Sequence, residues 1–339
     1  MRTYLPVAAA GAVLALSCAS TTPAIADSGP SAAFRISDPR ITESSGLAAS
    51  KLHPGVYWTH NDSGDGPYVY GVDAATGKTV ATLTMRGIHP RDVEAISLGP
   101  DGDLYVADIG DNLDGAWSEV WIYRFPEPRN LTSQTVDVTR FTVRYDDGPR
   151  NAEALMVQPK TGRVYIASKN EKGGHLYEGP AQLSSTGVNV FKRIGDVPWV
   201  TDGAFSPDGS RLVLRGYLWA IDYRWVDGRP RKIDSLGLPI QPQGESVTFT
   251  PDGRSLLYGS EGKDSEVWKE GLSGDELPDS VTPVAHATPT PSATSPRPAA
   301  DAGVKKADNS GGRTVGFIVL AAIAAAGYGL RRVARRRRG

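Results

Sequence analysis

Residues 94–112 read EAISLGPDGDLYVADIGDN: a carboxylate, a small residue, an apolar stretch, a tight turn and a second apolar run. Apolar side chains on both sides of Pro100-Asp101-Gly102 are the signature of a β-hairpin. The pattern returns in ESSGLAASKLHPGVYWTHND from Glu43, EALMVQPKTGRVYIASKNEKG from Glu153, DGAFSPDGSRLVLRGY from Asp202 and ESVTFTPDGRSLLYGSEGKDS from Glu245. The five carboxylates stand 51, 59, 49 and 43 residues apart. Repeats of that length, with no sustained helical period, imply an all-β β-propeller built from four-stranded blades.

A third strand follows each hairpin (YVYGVD, EVWIYRF, HLYEGP, LWAIDYRW, EVWKEGL). A fourth follows the first four (TVATLTM, VDVTRFTVRYD, VNVFKRIG, RKIDSLGL). The last unit lacks one, while Ala33-Phe34-Arg35-Ile36 upstream is spare. Pairing that run with the last unit closes the ring and removes an open sheet edge. Five blades within residues 30–275 is the expected count, with a degenerate sixth as the alternative.

Propeller connectivity sorts the residues by face. The innermost strand of each blade starts at one mouth of the central channel, and its hairpin partner returns there. The expected mouth therefore carries Glu43, Glu94, Glu153, Asp202 and Glu245, together with the loops after the second strands. Those loops offer His60, Asn61 and Asp62; Asp108, Asp111 and Asn112; Lys169; Arg215; and Glu261. Five carboxylates around one axis cannot all ionise without compensation, since like charges raise one another's pKa. A hard cation such as Ca²⁺ is one compensation, with Asn151 beside the carboxylates as a further oxygen ligand. Arginines are another: Pro39-Arg40-Ile41-Thr42-Glu43, Pro90-Arg91-Asp92-Val93-Glu94 and Pro149-Arg150-Asn151-Ala152-Glu153 all read P-R-x-x-E. Arg40, Arg91 and Arg150 would also suit an anionic ligand through bidentate donation. A third is architectural, each acid accepting neighbouring backbone N–H groups and each Arg tying blade to blade. For catalysis the candidates are Glu94, Glu153, His60 and His89. No G-x-S-x-G elbow, P-loop, dinucleotide fingerprint or H-E-x-x-H is present, so neither a nucleotide nor a flavin cofactor is expected.

The ends of the chain predict its address. Residues 1–26 combine Arg2, an apolar stretch from Leu5 to Leu16 and an Ala24-Ile25-Ala26 site, the pattern of a cleaved signal peptide. The single cysteine, Cys18, falls inside it, so no disulfide is expected after cleavage. Residues 276–313 are rich in Pro, Thr, Ser and Ala, the composition of an extended stalk. Residues 314–330 form an apolar-and-glycine run followed by a basic tail, 331–339, with six arginines. That is a single transmembrane helix with its C-terminus cytoplasmic and the propeller outside the cell. The exported part keeps 30 of the 37 basic residues against all 38 acidic ones, near −8, which argues against nucleic-acid binding.

TDGAFSPDG (residues 201–209) resembles the motif region of the senescence-marker/gluconolactonase family. The stretches D-V-E-A-I-S and D-I-G-D-N (residues 92–97 and 108–112) and N-A-E-A-L and G-R-V-Y-I-A-S-K (residues 151–155 and 162–169) are similar to secreted actinobacterial β-propellers of no assigned activity. More distantly they resemble the esterase-like phytase group. The first resemblance implies a central divalent cation, with Glu43, Asn151 and Asp202 as its ligands. Two functions follow as expectations: a membrane-anchored surface propeller binding a small-molecule or cell-wall ligand at its mouth, or a metal-dependent hydrolase of a lactone, ester or phosphoester.

Overall fold

The structure, a computed structural model, describes residues 29–281 except Asp114. The expected signal peptide (1–26), most of the stalk, the membrane helix (314–330) and the basic tail (331–339) lie outside the described residues. Among the described residues no helix is long and apolar enough to cross a membrane.

The chain opens with β1 (Ser31–Arg35) and then winds through four-stranded antiparallel meanders. The first is β2 (Ser44–Ala49), β3 (Val56–Asn61), β4 (Tyr68–Asp73) and β5 (Lys78–Met85). The second is β6 (Val93–Leu98), β7 (Asp103–Asp108) and β8 (Val120–Pro126), then, past the short β9 (Gln134–Val136), β10 (Thr139–Tyr145). The third comprises β11 (Ala152–Val157), β12 (Val164–Ser168), β13 (Gly174–Glu178) and β14 (Val188–Val197). The fourth comprises β15 (Asp202–Phe205), β16 (Arg211–Arg215), β17 (Ala220–Val226) and β18 (Arg229–Ser235). The last has β19 (Gly244–Phe249), β20 (Ser255–Ser260) and β21 (Glu266–Gly271), and its outer place is taken by β1. The spare run near the N-terminus thus pairs with the last unit, Arg35 facing Glu266 and Ser31 facing Lys269.

The innermost strands close a ring: β2 packs on β6, β6 on β11, β11 on β15, β15 on β19 and β19 back on β2. The fold is a β-propeller. Its core is divided among the junctions of adjacent units. Trp58 and Ala48 of the first unit pack with Ile96 and Tyr123 of the second, and Tyr105 and Ile122 of the second with Leu155 and Ile166 of the third. Met156 and Tyr165 of the third meet Leu212 and Tyr223 of the fourth, Val213 of the fourth meets Val247 and Tyr258 of the last, and Leu257 of the last meets Leu47 and Tyr57 of the first. Each junction needs one apolar face from each neighbour, which explains why both faces of the inner strands are buried.

Two lateral ties were not legible in the repeat. β9 pairs in parallel with β5, and β10 with β14, so the second unit is bonded at its outer edge to both neighbours. The hairpin turns on the face away from the mouth use glycine at positive φ, as at Gly102 (83°) and Gly209 (67°), where a Cβ would be strained. Residues 276–281, placed by composition at the start of the stalk, lie against the fourth unit. Asp279 accepts from the guanidinium groups of Arg211 and Arg224 at 2.9 Å each, and the Ser280 N–H donates to Asp208.

Candidate functional site

The site is built by a repeated irregularity at the start of the inner strands. Opposite the second strand, the register slips by one residue at Ser45, Glu94, Glu153 and Glu245. In the fourth unit the Thr201 N–H donates to the Arg215 carbonyl while Asp202 also faces Arg215. A β-bulge re-aims the extra side chain. Here it lines up Ser45, Glu94, Glu153, Asp202 and Glu245 at equivalent places, each at most 2% exposed.

The first unit therefore differs from the sequence alignment. Glu43 was expected at the ring position, but Ser45 occupies it, donating toward Glu94 Oε2 at 3.5 Å, and Glu43 lies two residues nearer the mouth. The cause is the period of a strand. A shift of two returns the same face, so alternation cannot detect it. Equivalent hydrogen bonds confirm the corrected register. Asn61 Oδ1 accepts from the N–H groups of Thr42 and Glu43, as Asp108 accepts from those of Arg91 and Asp92.

Two further layers lie outside the ring. Backbone bonds from Asp62 to Glu43, Gly110 to Asp92, Lys169 to Asn151 and Glu261 to Gln243 set these pairs side by side around the mouth. The side chains then connect across units. Lys169 Nζ lies 3.0 Å from Glu153 Oε2 and 3.1 Å from the Tyr217 hydroxyl, which donates to Glu245 Oε1 at 2.9 Å. Gln243 Nε2 links Glu245 (3.4 Å) to Glu261 (2.5 Å). On the other side, carboxylate oxygens of Asp62, Asp92 and Glu94 lie within 4.8 Å of one another.

Electrostatics follow from burial. Burial pushes the Glu94 carboxyl well above its ordinary range, and Asp62, Glu153 and Asp92 add to the rise. Burial likewise raises Glu153, against the pull of Lys169, and raises Asp202 against hydrogen bonds from Val247 and Gly203. Glu261 is pushed up to about 10 by burial, then by Glu245, Asp62 and Glu43. Burial opposes the Lys169 ammonium, yet Glu153 and Glu245 hold its pKa well above that of an ordinary lysine. Lys169 is thus a counter-charge supplied by the chain itself.

The remaining candidates are distributed as follows. Arg91 is clamped between Trp117 and Trp121, its guanidinium carbon 4.0 and 3.7 Å from the ring centres, and donates to the Glu119 carbonyl. Arg40 pairs with Asp38 at 2.6 Å and Arg150 with Asp147 at 2.7 Å, so the three P-R-x-x-E arginines have partners away from the ring. Arg215 is fully buried and donates to the carbonyls of Ser246 and Gly259, in space left by Gly244. Asp111 organises its own loop by accepting from Leu113, Gly115 and Trp117, and Asn151 accepts from the Asp111 N–H. Asn112 donates to Asp92 Oδ2 at 2.7 Å. His60 is buried behind the mouth, its Nδ1 bonded to the Asn61 carbonyl and its pKa lowered by burial to about 4; His89 is exposed. A cleft of 220 Å³ opens beside the network, lined by Arg150, Asn151, Ser168, Lys169, Asn170 and His175.

Sequence reasoning missed Asp92, Gly110, Tyr217 and Gln243. Correct alignment of the first unit would have revealed Asp92, because it sets Asp92 opposite Glu43; Gly110 stands one residue beyond the place of Asp62, so only its backbone bond to Asp92 shows the equivalence.

No protein-family model and no curated protein matches the chain. Solved structures do. U3-55K aligns with 14% identity over 68% of this chain and 68% of its own, at a TM-score of 0.38. The Kuenenia stuttgartiensis hydrazine synthase aligns with 16% identity over 65% and 56%, at 0.38. The WD40 repeats of RRP9 align with 13% identity over 68% and 67%, at 0.37.

Proposed function

We propose that this chain is a cell-surface propeller of five four-stranded blades, held by a C-terminal membrane helix, that binds a ligand at its acidic mouth. The observation that carries the reading is the concentration of buried ionisable groups there. Glu94, Glu153, Asp202 and Glu245 converge with Asp62, Asp92 and Glu261 on one end of the channel, against Lys169 and Arg215. Desolvating so many charges costs stability that apolar packing would have saved, and groups with strongly displaced pKa values cluster at functional sites. The surplus of acid suits a cationic ligand group or a divalent cation shared with the ligand. Apolar side chains on the same face widen the contact area: Leu113, Leu218 and Ile240 are 61%, 56% and 95% exposed in mouth loops. The stalk and membrane helix expected from residues 276–330 would present this mouth to cell-wall material.

The test is saturable binding of the purified full-length chain to isolated cell-wall fragments. Wild type is expected to bind, and a Glu153→Gln/Glu245→Gln variant that melts cooperatively is expected not to. Equal binding by both would remove the mouth from the account. Hydrolysis of a lactone, ester or phosphoester panel, abolished by the same substitutions, would replace binding with a metal-assisted hydrolase.

A further inference from the structure

The mouth is not uniform around its axis. In the layer nearest the ring, the first unit contributes Asp62, the third Lys169 and the last Glu261, but the second contributes Gly110. A Cβ added there would lie 2.4 Å from Glu94 Oε1 and 2.6 Å from Asp92 Oδ2. The φ of Gly110 is not in the left-handed region, so its backbone conformation is open to any residue. A side chain there would have to push the ends of both carboxylates aside. The absence of a Cβ lets Glu94 and Asp92 come together opposite Asp62.

A second observation is independent of the acid count. Glu94 is 1% exposed, and its Oε1 has no hydrogen-bond partner. A buried acceptor without a donor is costly and calls for a ligand. The donor set is all oxygen, from Asp62, Asp92 and Glu94, which suits a hard cation rather than zinc or copper. Ligands to one Ca²⁺ at about 2.3–2.6 Å lie at most about 5 Å apart, so oxygens within 4.8 Å of one another can share one ion. Asp62 and Asp92, 6% and 4% exposed, leave the cluster a narrow opening.

We propose that Asp62, Asp92 and Glu94 bind one hard divalent cation off the channel axis, at the junction of the first and second units over Gly110. The carboxylates of the third and last units already have a counter-charge in Lys169, whose ammonium lies between Glu153 and the Tyr217–Glu245 pair. This deepens the reading of the mouth as a ligand site, because such an ion would stand where the ligand arrives.

The experiment uses the full-length chain in detergent, stripped with EGTA and titrated with Ca²⁺. Bound ion is counted by equilibrium dialysis with ⁴⁵Ca²⁺, and stability by thermal melting. The expected result is one ion per chain and a melting shift of roughly 5–10 °C at a hundredfold excess over Kd. Gly110→Ala, Glu94→Gln and Asp62→Asn should each lose both the ion and the shift. In EGTA, Glu94→Gln should melt at or above wild type, since it removes like-charge repulsion, showing that the fold survives. Uptake unchanged in all three variants, or no uptake by wild type, overturns the proposal. So does uptake abolished by Glu153→Gln/Glu245→Gln but kept by Glu94→Gln, which would put the ion on the axis. Because the readout is the ion itself, it stands or falls separately from cell-wall binding.

Discussion

Replacing Lys169 by Met removes the ammonium from among the buried carboxylates while keeping the aliphatic stem. The Lys169–Glu153 pair is 3.0 Å apart with side chains 9% and 2% exposed, and Glu245 is linked to the same ammonium through Tyr217. Removing one partner of a buried pair strands the other charge, at a cost of about 3–5 kcal/mol. For a domain of this size that is a fall in Tm of roughly 6–20 °C. The pH dependence has a definite sign. Without the ammonium, the folded-state pKa of Glu153 rises further above its unfolded value, so the folded protein binds more protons. Between the unfolded pKa of 4.5 and the wild-type folded pKa of about 8, wild type and variant lose stability alike as pH rises. The extra penalty therefore opens only above about pH 8, where the wild-type carboxyl ionises beside the ammonium and the variant's does not. Urea unfolding followed by tryptophan fluorescence at pH 6, 8 and 9.5 measures it. Adding Glu153→Gln to Lys169→Met should recover a large part of the loss at pH 9.5. A difference between wild type and Lys169→Met that does not widen between pH 8 and 9.5 would refute the role of Lys169 as the internal counter-charge.

Two further outcomes are expected. His60 is held neutral by burial, with its pKa lowered to about 4 from 6.5, so it contributes stability that is lost as pH falls from about 6.5 toward 4; the difference in unfolding free energy between wild type and His60→Leu should change by up to roughly 3 kcal/mol across that window, and a flat difference would contradict it. Deleting residues 29–36 removes β1 and leaves β21 as an open edge, so size-exclusion chromatography should show self-association where the full chain is monodisperse; an unchanged elution profile would mean that β1 does not protect the last unit.

Much of the fold was legible because hairpins leave local marks. Asp101-Gly102 and Asp208-Gly209 announce their turns, and the apolar run Ala33–Ile36 had no other partner to pair with. The lateral ties were not, because β9 carries only Gln134, Thr135 and Val136, too few residues to show alternation. The candidate site was half legible. Glu94, Glu153, Asp202 and Glu245 were found by repetition, whereas Glu43 was aligned with them across a two-residue offset that strand periodicity cannot see. The P-R-x-x-E motif suggested arginines facing the carboxylates, yet the aromatic clamp of Arg91 depends on Trp117 and Trp121, outside the motif.

The sequence by itself determined the all-β repeat and the face on which the chemistry-bearing residues gather. Those features are written in short-range patterns: turn residues, alternation and apolar run length. Only the tertiary structure decided which charges meet. Lys169 reaches Glu153 from the neighbouring strand and Tyr217 from the next unit, and Asp62 reaches Glu94 across a junction between units. Such encounters depend on bulges and ring closure, which place side chains tens of residues apart within a few ångströms and leave no periodic trace in the chain.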